Sequence, residues 1–141
     1  MQNQKEKALS LARKAAKLEP QAPVPQVALS YAYQATFDLE KALNSLKQAV
    51  SLAPEDALIH ARLAELELSL GELERALKIA RKAVGLDPEL ARTHTVLGFA
   101  YLTQTQIKKA KESFEKAIAL DSADPLPRLG LGLAKIREGD L

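Results

Sequence analysis

Two histidines, His60 and His94, stand 34 residues apart in a chain of 141. Imidazole at a repeated position invites two readings, a metal ligand pair or an acid–base pair. A zinc site needs a third ligand position alongside them. None recurs with the histidines, so they read as imidazoles at the edge of a packed core. Glu65, Glu67, Glu72 and Glu74 cluster closely enough for paired-carboxylate chemistry. Nothing beside them supplies a nucleophile or partner base, and Arg62 lies three residues before Glu65. They read as solvated helix faces and turn residues. Lys108, Lys109, Lys111 and Lys116 form a basic face, but Glu112 and Glu115 stand among them. That face reads as an ordinary solvated one, with an acidic partner as the alternative. The run Gly130–Leu133, GLGL, falls inside a helical pattern and is packing, not a phosphate cradle. The expectation is therefore no catalytic residue, no metal and no cofactor.

Composition narrows the classes further. Formal net charge is +2, from 20 basic and 18 acidic residues, which gives no reason to expect nucleic acid. The absence of cysteine excludes disulfides and thiolate metal sites. No apolar run is long enough to insert into a membrane, and MQNQKEKALS lacks a signal-peptide core. The expectation is a soluble chain, with a cytoplasmic setting favoured.

The elements that position these residues repeat at a fixed interval. Prolines fall at 20, 54 and 88, and Ser122 takes the next place in the series. Twelve residues earlier stand Ala8, Ala42, Ala76 and Ala110, and five residues earlier Ala15, Ala49, Ala83 and Ala117. Leu18, Leu52, Leu86 and Leu120 form another column. Leu29, Leu63, Leu97 and Leu131 form a fourth, each followed by a small residue: Ser30, Ala64, Gly98 or Gly132. From Ala91 to Asp124 the apolar residues recur at helical spacing twice, with Thr105 and Gln106 breaking the pattern between. Each unit is thus two antiparallel helices, which approach closely where small side chains face each other. Helices of this length are marginal alone and gain stability by stacking on the next hairpin.

The pattern resembles the tetratricopeptide repeat, a 34-residue helix–turn–helix. The residues carrying the resemblance are Leu97, Gly98 and Tyr101, then Ala110, Phe114 and Ala117, then the closing Pro54 or Pro88. His60 and His94 replace the usual tryptophan, Glu67 and Lys135 the tyrosine, and Ser122 a closing proline. The expected fold is all-α: a right-handed superhelical solenoid of about seven helices. Residues 1–22 hold the second helix of an incomplete leading repeat. Repeats follow at 23–56, 57–90 and 91–124, and residues 125–141 hold the first helix of a trailing one. Asp38 and Asp124 are expected N-caps, Pro125 opens the last helix, and Gly71 suits a left-handed turn. Gly139-Asp140-Leu141 reads as a further turn and helix entry. The chain is expected to be a fragment of a longer array. Its first helix, near Lys5–Leu18, would then cover the last, near Leu126–Arg137, of a neighbouring copy, head to tail.

The resemblance implies that first helices line a concave groove through the second, fifth, sixth, ninth and twelfth positions of each repeat. The first repeat supplies Val24, Val27, Ala28, Tyr31 and Gln34, and the second Leu58, Ala61, Arg62, Glu65 and Leu68. The third supplies Arg92, Thr95, Val96, Phe99 and Leu102, and the last helix Leu126, Leu129, Gly130, Leu133 and Ile136. The stripe is mostly apolar and suits a peptide or amphipathic helix of a protein partner. Arg62 and Arg92 are candidates to anchor a carboxylate or carbonyls at its edge. The family's carboxylate clamp is not reproduced: of Val27, Tyr31, Arg62, Arg92 and Val96, only Arg92 fits. The sixth column, Ala28, Arg62, Val96 and Gly130, lacks the asparagine ladder of glycosyltransferase-type arrays. The leading expectation is a non-catalytic protein-binding module. The alternative is a structural or self-assembling segment.

Overall fold

The structure is a computed structural model that describes residues 2–139; Asp140 and Leu141, and with them the expected helix entry, lie outside that range. The described residues form eight helices, one more than the seven or so expected, and no strand. They are α1 (Gln2–Leu18), α2 (Pro23–Ala35), α3 (Leu39–Leu52), α4 (Ala57–Ser69), α5 (Leu73–Leu86), α6 (Ala91–Thr103), α7 (Ile107–Leu120) and α8 (Leu126–Glu138). Each packs on the next in sequence, and the first helices α4, α6 and α8 also touch one another in series.

Local chemistry sets the boundaries. Asp38 accepts a hydrogen bond from the Lys41 amide, Asp56 from Leu58 and Ile59, and Asp124 from Leu126, each satisfying donors that a helix start leaves open. Within every repeat the first helix ends in the same turn. Phe37, Gly71 and Thr105 all have positive φ, at +62°, +79° and +58°, and Gly139 repeats it at +84°. The next amide closes the turn: Asp38 on Tyr33, Glu72 on Glu67 and Gln106 on Tyr101, at 2.9–3.0 Å. Glycine suits this backbone, and the chain uses it in only two of four turns.

The core is built on alanine. Ala42, Ala76 and Ala110, with Ala49, Ala83 and Ala117, are fully buried, so paired helices sit close. Phe114 is fully buried between Gly98 and Gly130, and Phe99 meets it edge-on with ring centroids 4.9 Å apart. Both glycines are there for space: a Cβ on either would lie within 2.6 Å of the Phe114 ring.

Candidate interaction groove

Helices α2, α4, α6 and α8 carry the stripe, and the structure divides it into two clefts. The first, about 440 Å³, lies between α2 and α4. It gathers seven of the expected residues: Val24, Val27, Ala28, Tyr31, Leu58, Arg62 and Arg92. Pro23 and Ile59 complete its apolar walls, and Asp56 stands at its margin. The second, about 430 Å³, lies between α4 and α6, and brings Thr95 and Phe99 together with Leu68, Val96 and Leu126. Val24 and Leu58 are exposed, Leu58 by 52%, although both are aliphatic. Exposed aliphatic side chains around one concavity are the usual mark of a contact surface.

Three expected positions do less than the stripe suggests, and one leaves it. Leu129 and Leu133 are exposed on α8 but line neither cleft. Thr95 is buried, and its hydroxyl donates to the Ala91 carbonyl at 3.2 Å, so it contributes little surface. Leu102 is only 6% exposed and packs in the core with Ala110, Phe114 and Ala134. The cause is α8: Arg137 donates to the Leu102 carbonyl at 2.8 Å and Ala134 packs beside it. Leu102 is a core residue and not part of the groove.

The two arginines are already engaged. Arg62 is buried, with only 5% of the residue exposed. Its Nε donates to Ser30 Oγ at 3.2 Å and its Nη2 to Gln34 Oε1 at 2.7 Å. Its guanidinium lies 3.8 Å from the Tyr31 ring centroid, a stacked cation–π contact. Its Nη1 is 3.7 Å from Glu65 Oε2. Arg92 holds the same carboxylate more tightly, through Nε at 2.7 Å and a closer contact from Nη2. Burial pulls the Arg62 pKa below its ordinary value, and Tyr31 and Glu65 only partly oppose that. Burial pulls on Arg92 too, but Glu65 outweighs it and the net direction is upward. Both stay cationic at any working pH, so the cluster Arg62–Glu65–Arg92 has a net charge of one. It stands where the clefts meet, since Arg62 and Arg92 line the first and Glu65 the second.

Sequence reasoning paired Glu65 with Arg62 along one helix and missed the stronger bond to Arg92 on the next. The signal was present: the ninth position of one first helix and the second of the next both belong to the concave set. Gln34, at the twelfth position of the first repeat, left the same kind of signal toward Arg62, whereas Ser30 lies outside the concave set and left none.

The histidines have a plain structural task. His60 Nε2 lies 2.8 Å from the Pro54 carbonyl oxygen, and His94 Nε2 lies 2.7 Å from that of Pro88. A carbonyl only accepts, so each ring carries its proton on Nε2 and donates it. Arg128, one repeat further on, donates to the Ser122 carbonyl in the same way. The column thus satisfies a carbonyl at three repeat junctions, those at Pro54, Pro88 and Ser122. Among the described residues no group of three or more His, Cys, Asp or Glu side chains is placed to hold a metal ion. No helix among them is long and apolar enough to cross a membrane.

Geometry of this kind defines a class, a solenoid of stacked two-helix units with a continuous inner face. Two family profiles match the chain, both described as tetratricopeptide repeat, over residues 26–56 and 57–123, together more than half its length. The chain belongs to the tetratricopeptide-repeat family. No curated protein sequence matches it significantly. Among solved structures, a thermophilic TPR protein from Thermus thermophilus is 26% identical, with a TM-score of 0.88 over 98% of this chain and 76% of that one. MamA from Desulfovibrio magneticus is 26% identical, with a TM-score of 0.77 over 96% of this chain and 77% of that one. The Sgt2 TPR domain of Aspergillus fumigatus is 25% identical, with a TM-score of 0.78 over 85% of this chain and 83% of that domain. The fold is therefore that of a protein-binding scaffold.

Proposed function

We propose that the chain is a non-catalytic interaction module that binds a peptide or amphipathic helix of another protein along its concave face, without a cofactor. The observation that carries this reading is the first cleft. Val24, Val27, Tyr31 and Leu58 surround one concavity and leave apolar surface facing water. Phe99 extends the surface into the second cleft. The Arg62–Glu65–Arg92 cluster gives the contact its polar register. Glu65 takes much of the capacity of both guanidiniums, so the cluster orients a ligand by hydrogen bonds to its backbone and does not act as an open carboxylate clamp.

The test uses Val24→Asp and Leu58→Asp, two substitutions at exposed side chains outside the core. Partner capture from the source lysate should fail for both while far-UV circular dichroism is unchanged. The same proteins captured by both variants would remove the groove from consideration. Leu102→Asp is unsuited to this purpose, because a carboxylate buried against Phe114 would unfold the third repeat.

A further inference from the structure

The net charge of +2 conceals a separation of sign. The second helices α1, α3, α5 and α7 hold fifteen of the twenty basic residues and five of the eighteen acidic ones, a net of +10. The first helices and the turns hold the other five and thirteen, a net of −8. Helices α3, α5 and α7 alone carry ten basic residues against four acidic ones. Each of these three packs on the first helix before it and on the first helix after it. Toward those neighbours α5 buries Ala76, Ala80 and Ala83, and α7 buries Ala110, Phe114 and Ala117. The other side of α5 presents Lys78 and Lys82, and that of α7 presents Lys108 and Lys116, all exposed. Lys47 on α3 is exposed as well. A unit contacts only its neighbours along the array, so this outer face belongs to each repeat and further units would extend it, not cover it.

These lysines have no task in the fold. Among the described residues Lys47, Lys78, Lys82, Lys108 and Lys116 enter no ion pair, whereas Arg75 is held by Glu67 and Glu72. Lys78 and Lys82 stand four apart on one helix, where like charges cost stability. The chemistry of the face also selects among anions. No large apolar side chain is exposed on α3, α5 or α7, so the face offers a protein partner no apolar anchor. Its aromatic ring is covered: Tyr101 has Arg81 at 5.4 Å and Lys109 at 5.7 Å from its centroid, which leaves no platform for the bases of a single strand. No helix projects from the face to enter the groove of a duplex, because each lies packed between first helices. Lysines spread over three helices, each a point charge on a flexible stem, suit a broad field of anionic headgroups.

We propose that the outer face of α3, α5 and α7 adsorbs to an anionic lipid surface by charge alone, without insertion. The acidic first helices and turns are repelled by the same surface, which fixes the orientation and leaves the concave groove turned away from the bilayer. This site does not depend on what the groove binds.

The test is co-sedimentation of the full chain with vesicles of phosphatidylcholine, alone or with about one-third phosphatidylserine. The chain should bind the second and not the first. It should be released as salt shortens the reach of charge from about 10 Å at 0.1 M to about 3 Å at 1 M. One lysine near such a surface contributes about a fivefold gain in partition, so Lys78→Gln combined with Lys82→Gln should weaken binding by about ten- to twenty-five-fold. Circular dichroism should be unchanged. Val24→Asp combined with Leu58→Asp lowers the net charge by the same amount on the concave side, beyond the screening length, and should change binding by less than about twofold. Absence of binding, equal binding to the two vesicles, insensitivity to salt or equal weakening by the two double variants would each overturn the proposal. So would duplex DNA that stays bound at a salt concentration that releases the vesicles, which would assign the face to nucleic acid.

Discussion

Gly98→Ala and Gly132→Ala are the same substitution at the same column of successive repeats, and they should have opposite effects. At Gly98 the new Cβ would lie 2.5, 2.6 and 2.9 Å from three carbons of the Phe114 ring. Carbon atoms in contact prefer about 3.5–4 Å, so the ring must retreat by about an ångström. It has little room to do so, because the same edge packs close against the helix at Gly130 and the ring is fully buried. Overpacking of this kind costs about 1–3 kcal/mol, and the trapped ring places it near the top of that range. Replacing a mid-helix glycine with alanine returns about 1 kcal/mol. The net at Gly98 is destabilisation by about 1–2 kcal/mol. At Gly132 nothing lies within 4 Å of the new Cβ, so the helix-propensity gain of about 1 kcal/mol stands alone. Urea unfolding followed by circular dichroism should therefore separate the two variants by about 2–3 kcal/mol. Phe114→Leu should cost less in the Gly98→Ala background than in the native one, because it relieves the contact. Equal shifts at the two glycines would refute the claim that Phe114 sets the spacing of α6, α7 and α8.

Other consequences can be checked with the same unfolding assay. Thr105→Gly should stabilise by up to about 1 kcal/mol, since a β-branched residue at φ +58° carries left-handed strain that glycine lacks. Gly71→Ala, at φ +79°, should destabilise by about 1 kcal/mol for the converse reason. Glu65→Gln should cost about 1–3 kcal/mol, because it leaves Arg62 and Arg92 as neighbouring cations without their shared carboxylate. Phe114→Ala should cost about 3–5 kcal/mol, the range for deleting a buried aromatic ring.

The repeat made most of the fold legible in the sequence. A column such as Ala42, Ala76 and Ala110 is one local packing decision made three times, and coincidence across columns reveals it. The turns were only partly legible. Gly71 announced a left-handed residue, while Phe37 and Thr105 adopt the same backbone without any sequence cue. Exposure within a column proved the least readable property, because it depends on what stacks on the next side. Leu102 and Ile136 share a column, yet α8 buries the first and nothing among the described residues covers the second. The polar part of the groove was hidden for a related reason. Arg62 and Arg92 read as anchors when taken singly; their concave columns hinted at a link through Glu65, and their placement in space shows both guanidiniums on that one carboxylate.

The concave face can be tested directly by hydrogen–deuterium exchange of the chain with and without a captured partner. Exchange should slow in α2, α4 and α6, centred on the helices that carry Tyr31, Leu58 and Phe99, with α3, α5 and α7 unchanged. Protection confined to α3, α5 and α7 would place the contact on the opposite side and contradict a concave binding face.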